Sequence, residues 1–164
     1  MLKNALNEDL IHFLWKTKRF SYENLKTTDD VSIDIINWGS HNHHSGPDFS
    51  NGKVKIGNTI WAGNIEMHIS SSDWDRHKHS GDPAYDNVIL HVVWEHDKQI
   101  MDQNGKPIPT LVISHQVDQE LMNRYAELMQ NELRIPCENL ISNVDLSRMN
   151  LWLHNILIER LETK

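Results

Sequence analysis

The side chains able to do chemistry crowd into one part of this chain. Of its 11 histidines, 8 fall between positions 41 and 96, and the stretch 46–91 also carries Asp48, Glu66, Asp73 and Asp86. Imidazole serves as metal ligand, as acid or base, or as a buried hydrogen-bonding group, so the count alone does not choose. Spacing says more. The run IWAGNIEMHIS at 60–70 reads as a strand, in which Trp61, Ile65, Met67 and Ile69 point one way and Asn64, Glu66, His68 and Ser70 the other. One face is then core and the other a row of ligating or proton-transferring groups. A plain antiparallel strand with one wet face would show the same pattern.

Asp48 breaks that tie. It follows Pro47 at the start of the preceding strand, and the 17 residues between it and Glu66 suffice for a hairpin to bring the two together. Carboxylates set side by side repel unless a cation or proton intervenes. Hard oxygen donors suit Mg²⁺ or Mn²⁺, which keep waters that a phosphate can replace, and the Met67 carbonyl could complete the shell. His91 lies inside the apolar run VILHVVW, where a polar side chain needs a partner. It is either a satisfied core histidine or a neighbour of Asp86, Asp73 or Glu66 at the proposed site. His77-Lys78-His79 has the form of a metal-binding pair, with zinc as the ion to expect; solvated loop polarity is the alternative. The same alternative covers His41, His43 and His44. Trp74 and Tyr85 flank the histidine loop and are either core or stacking platforms for bases. The chain has no Gly-rich phosphate loop, Gly-x-Ser-x-Gly elbow or Cys-x-x-Cys pair, and Cys137 reads as structural.

The elements that must position these groups follow from periodicity. Asn7-Glu8-Asp9 caps a first helix whose face is Leu10, Phe13, Leu14 and Thr17. VSIDII at 31–36 alternates as a strand, and SHNHHSGPDFSNG is a loop. KVKI, the turn dipeptide Gly57-Asn58 and the strand through 60–69 form a hairpin. The segment 70–87 is a loop with one helical turn, VILHVVW a strand covered on both faces, and TLVIS an edge strand. Helices follow from Asp118 or Gln119 to Leu128-Met129, interrupted at Ile135-Pro136, and from a cap at Asp145 through the stripe Leu146, Met149, Leu153, Ile156 and Leu157.

Bulk properties bound the reading. A chain of 164 residues, 38% hydrophobic and 24% charged, fits one globular domain. No stretch suits a bilayer crossing, MLKNALNEDLIHFLW lacks signal-peptide form, and one cysteine makes no internal disulfide, which together favour the cytoplasm. A net charge of −7 speaks against a broad basic face for nucleic acid, though Lys53, Lys55, Arg76 and Lys78 could line a local groove.

Two resemblances rest on these residues. GPDF, WAGNIEMHISSSDW, HKHSGDPAYDNVILHVVWEHD and NGKPIPTL resemble, over nearly the whole chain, a bacterial family of uncharacterised proteins whose members are typically longer. Separately, Pro47-Asp48 followed by Glu66-Met67-His68 resembles the signature of the PD-(D/E)XK nuclease superfamily, whose core runs helix, three strands, helix, strand. That resemblance implies a metal held by Asp48 and Glu66, with Glu8 on the first helix as an extra ligand and His68 where the family has lysine. His91 is a second auxiliary candidate.

The sequence thus predicts a mixed α/β domain over 1–164, with a restriction-endonuclease-like core of a central mixed sheet flanked by helices at about 7–117 and C-terminal helices at 118–164. The expected activity is a divalent-metal-dependent phosphodiesterase acting on nucleic acid, using Mg or Mn, with Asp48, Glu66 and His68 as catalytic residues. The alternative is a non-catalytic domain that keeps the core and binds nucleic acid or protein. The unterminated last helix suggests a further domain or partner packing there.

Overall fold

A computed structural model describes residues 6–130, 135 and 138–162. The chain divides into two compact units, one running to Met122 and the other from Asn123 on. Among the described residues, one seven-stranded mixed sheet is accompanied by four α-helices, all but the last two belonging to the chain before residue 118. No helix among the described residues is long and apolar enough to cross a membrane.

Helix α1 (Glu8–Thr17) starts where the Asn7 side chain accepts from the Leu10 amide at 3.0 Å, and Glu8 and Asp9 sit in its first turn. It ends at Lys18, whose φ of 55° turns the chain out of the helix. The buried face is Leu10, Ile11, Leu14 and Trp15. The expected face of Leu10, Phe13, Leu14 and Thr17 is therefore rotated: Phe13 is 48% exposed, and Thr17 donates its hydroxyl to the Phe13 carbonyl. Trp15 decides this. Its large ring is buried and its Nε1 donates to the Trp38 carbonyl at 2.9 Å, so burial costs no unpaired donor.

The sheet runs β1 (Leu25–Lys26), β2 (Ser32–Asn37), β4 (Phe49–Ile56), β5 (Thr59–Ser70), β6 (Val88–Glu95), β7 (Thr110–Val112), with β3 (Ser40–His41) pairing β4. The first pairings are antiparallel; β5 with β6 and β6 with β7 are parallel. Gly57 supplies φ 58° for the two-residue turn between β4 and β5. Crossing from β5 to a parallel β6 takes a longer connection, which holds α2 (Asp73–Arg76) and a 3-10 turn at Pro83–Tyr85. Ser71, fully buried, and Ser72 anchor that connection to Asp97 just past β6.

Strand β5 departs from the simple alternation. Ile65 and Met67 are core, but Glu66 and His68 are also buried, at 4% and 1% exposure, so the polar face is covered rather than wet. Trp61, expected with the core set, is 48% exposed near the hairpin end. The difference is that α1 and the α2 connection cover the middle of β5 and not its start.

Helix α3 (Gln119–Gln130) runs where the sequence places it, and in the second unit Asp145 caps α4 (Leu146–Glu162) by accepting from the Arg148 amide. The stripe residues Leu146, Leu153 and Leu157 are each at least half exposed. The interruption expected at Pro136 and the role of Cys137 lie outside the described residues.

Candidate metal centre

The β4–β5 register decides the first contact. Phe49 pairs with Ile65, so Asp48 stands opposite Glu66, one position further along. Residues directly opposite in an antiparallel pair project to the same face. The two are laced together: the Asp48 amide donates to Glu66 Oε2 at 3.1 Å, and the Met67 amide donates to Asp48 Oδ2 at 2.9 Å. Burial pushes the Glu66 carboxyl above its usual range, the Asp48 charge adds to that, and His79 opposes it.

From α1, His12 brings Nε2 to 3.2 Å from Asp48 Oδ2. The approach is not aligned for a hydrogen bond, and this buried nitrogen has no bonded partner. Burial would lower the His12 pKa, but the Asp48 carboxylate, with Glu8 and Asp9, outweighs it and raises it. Glu8, one turn earlier, is pushed up by burial and lies within electrostatic reach of His77, Asp48 and His12. Sequence reasoning did not single out His12, although its i, i+4 spacing from Glu8 on one helix face was there to be read.

The histidines gather on the other side of Glu66. His68 Nε2 lies 3.6 Å from Glu66 Oε1 and 3.1 Å from His77 Nδ1, while His79 Nε2 lies 3.2 Å from the same Glu66 oxygen. One ligand atom from each of His68, His77 and His79 falls within 4.8 Å of the others. His79 is 8% exposed, and its Nε2, like that of His12, has no aligned hydrogen-bond partner. Its ring is clamped by Tyr85, stacked at 3.7 Å between centroids, and by the edge of Trp74 at 5.3 Å. His77 closes the short helix α2, and Lys78 with φ 61° bends the chain so that His77 and His79 both turn toward β5.

His91 stands opposite Glu66 in the parallel β5–β6 register, yet its Nε2 meets His68 Nδ1 at 2.8 Å instead of a carboxylate. It holds the His68 ring from behind, leaving Nε2 of His68 toward Glu66 and His77. Burial first, then the neighbouring imidazoles, lower the His68 pKa to about 2; burial, with His79 and His96, lowers that of His91 to about 3. Both rings are neutral at physiological pH, so His68 cannot act as the cation that a lysine would supply. It offers a lone pair instead.

The family described as "Protein of unknown function (DUF2851)" matches residues 8–164. The chain belongs to the DUF2851 family. No curated protein and no solved structure matches it. In this DUF2851 protein the structure brings Asp48, Glu66 and His68 into one neighbourhood, with Glu8 at its margin and His91 behind it. His41 packs on His12 and Phe49, 5.4 and 5.0 Å between ring centroids, with His43 against it at 4.4 Å, so it borders the Asp48 side of the site. Of the basic side chains suspected of forming a groove, Arg76 is taken up by Asp73 at 2.7 Å. Trp74 is buried core, packed with Ile100 and Ile108, while Tyr85 lies partly open beside it. A cavity of about 420 Å³ opens beyond His79 and Tyr85, between Trp61 and Lys106.

Proposed function

We propose that this protein is a divalent-metal-dependent phosphodiesterase acting on nucleic acid, with Asp48 and Glu66 holding the ion. The observation that carries the reading is the Asp48–Glu66 pair: two carboxylates across adjacent strands, each accepting a backbone amide of the opposite strand, from Asp48 and Met67, with Glu66 buried. Placing two such groups side by side is costly unless a cation shares them. His12 Nε2, 3.2 Å from Asp48 Oδ2, and the Glu8 carboxyl within electrostatic reach are further donors on that side.

A divalent metal would supply Lewis acidity toward a phosphoryl oxygen and a water of lowered pKa. The chain's own residues orient that chemistry. Asp48 is fixed by the Met67 amide, Glu66 by the Asp48 amide, and His68 by His91, so each donor has little rotational freedom. With the two-residue strands β1 and β3 set aside, the order α1, β2, β4, β5, the four-residue α2 and parallel β6 supports the resemblance to the nuclease superfamily that the Pro-Asp and Glu-x-His spacing carries. The cavity bounded by Trp61 and Tyr85, beyond His79, offers aromatic surface for a base.

The neutral His68 favours a second reading, a domain that binds nucleic acid without cleaving it. Cleavage of single- and double-stranded oligonucleotides with Mg²⁺ or Mn²⁺ separates the two. Turnover abolished by Asp48→Ala supports the phosphodiesterase. Binding with no turnover under either ion, unchanged in Glu66→Gln, selects the binding domain and overturns the proposal.

A further inference from the structure

Glu66 has two sides, and the phosphodiesterase reading uses only the one facing Asp48. On the other, three imidazoles and Oε1 of Glu66 converge. For zinc bonds of about 2.0–2.1 Å, tetrahedral ligand atoms stand roughly 3.4 Å apart. Three separations lie near that value, 3.1 Å from His68 to His77, 3.2 Å from His79 to Glu66 and 3.6 Å from His68 to Glu66, and the three imidazole ligand atoms all lie within 4.8 Å of one another.

A hydrogen-bonded histidine cluster without metal explains less. It accounts for His68 against His77, but it leaves Nε2 of His79 unbonded in a residue that is 8% exposed. That nitrogen faces Glu66 Oε1 at 3.2 Å, close but out of line for a well-formed hydrogen bond, and a buried polar atom left so is costly. An ion between them satisfies both. The supporting contacts fit as well. His91 fixes the ring of His68 by its remote nitrogen, the role that outer partners take around ligating histidines. Tyr85 and Trp74 fix the ring of His79, and the left-handed turn at Lys78 aims His77. His77 is the exposed member, so the site opens to solvent on its side.

We infer that Glu66, His68, His77 and His79 form a three-histidine, one-carboxylate site for a borderline transition metal of the zinc class. Nitrogen donors distinguish it from the oxygen-rich position at Asp48, where Mg²⁺ or Mn²⁺ fits. Glu66 is common to both, so one ion at each position would share its carboxylate. The histidine site stands on its own geometry and does not require the phosphodiesterase reading.

Metal-stripped full chain titrated with Co²⁺, read by visible absorption, tests it, with Zn²⁺ competition and elemental analysis giving stoichiometry. One Co²⁺ per chain with the intense bands of a four-coordinate ion, displaced by one Zn²⁺, is expected. His77→Ala, at an exposed position that leaves the core intact, weakens binding at least about 100-fold, whereas His44→Ala, at an exposed histidine outside this cluster, changes it less than about threefold. Glu66→Gln weakens it while the far-ultraviolet spectrum stays that of the wild type. Weak six-coordinate bands, no stoichiometric zinc, or loss of binding in His44→Ala equal to that in His77→Ala would overturn the inference. Zinc held by the histidines in a protein that cleaves no oligonucleotide leaves this site standing and removes only the phosphodiesterase. Cleavage lost in Asp48→Ala with no zinc bound does the reverse.

Discussion

The Asp48 amide donates to the Glu66 carboxylate, and Asp48 in turn accepts from the amide that follows Glu66. This exchange locks two acidic residues together across a strand pair, so their charges cannot drift apart to relieve repulsion.

The first prediction concerns that cost. The Glu66 carboxyl titrates above 4.5, its ordinary value, because of burial and Asp48. A carboxyl whose folded pKa is raised favours folding below the unfolded pKa and loses that contribution as pH rises through the folded one. In metal-free protein at pH 7, Glu66→Gln should therefore raise the melting temperature by a few degrees, an increment of about 1 kcal/mol. The same variant should lose the rise that Mn²⁺ gives the wild type. A lower metal-free melting temperature would contradict the repulsion argument.

His68 and His91 set the acid limit. Their pKa values of about 2 and 3 lie far below the ordinary 6.5, so an unfolded chain takes up protons there that the folded one refuses. Stability is full above pH 6.5 and falls as pH drops from 6.5 toward 3, by up to about 1.4 kcal/mol per pH unit for each ring. Urea melts at a series of pH values should show a slope approaching two protons near pH 5. In His91→Phe the slope should fall by about one proton, and metal affinity by about 10–100-fold, since nothing then orients His68.

Asp97 ties the α2 connection to the end of β6 through the Ser72 amide and the hydroxyls of Ser71 and Ser72. Bonds from Ser72 above all hold its pKa at about 2, below the ordinary 3.8. Its contribution is present above pH 3.8 and is lost as pH falls through 2. Asp97→Ala should cost about 1–2 kcal/mol at pH 7 in chemical denaturation. Amide exchange should quicken at 71–79, because the segment that delivers His77 and His79 loses its anchor. Unchanged exchange there would separate the anchor from the histidine loop.

Gly63, in β5, packs tightly against Asn87 and Ile89 at the start of β6. A Cβ there would meet the Asn87 carbonyl oxygen at 2.5 Å and Ile89 Cγ2 at 2.6 Å, and backbone cannot yield as a side chain can. Gly63→Ala should destabilise by roughly 1–3 kcal/mol. It should also weaken Co²⁺ binding, because β6 carries His91. A neutral effect on both in thermal melts and titrations would show that the strands can part without cost.

The hairpin was legible in the chain itself. Gly57-Asn58 fixes a two-residue turn, but the register that turn sets would put Asp48 opposite Met67; the bulge in β4 between Phe49 and Gly52 shifts it by one residue and brings Asp48 opposite Glu66. The capped first helix, the buried run at 88–95 and the single turn in the loop after β5 were equally local and were found where expected. The bounds of α1's buried face were not, because a tryptophan with a distant carbonyl partner outweighed the apolar spacing.

What tertiary structure alone decided is which histidines meet. His68, His77, His79 and His91 come from a strand, a helix end, a loop and a second strand, and parallel pairing of β5 with β6 has no turn to fix its register. Alternation told which way Glu66 and His68 point, but whether that face was wet depended on α1 and the α2 connection closing over it. Sequence therefore specified the hairpin that returns the chain from Asp48 toward Glu66, while the bulge in β4 set the two carboxylates facing each other. The imidazole cluster needed long-range packing, whose geometry no local pattern encodes.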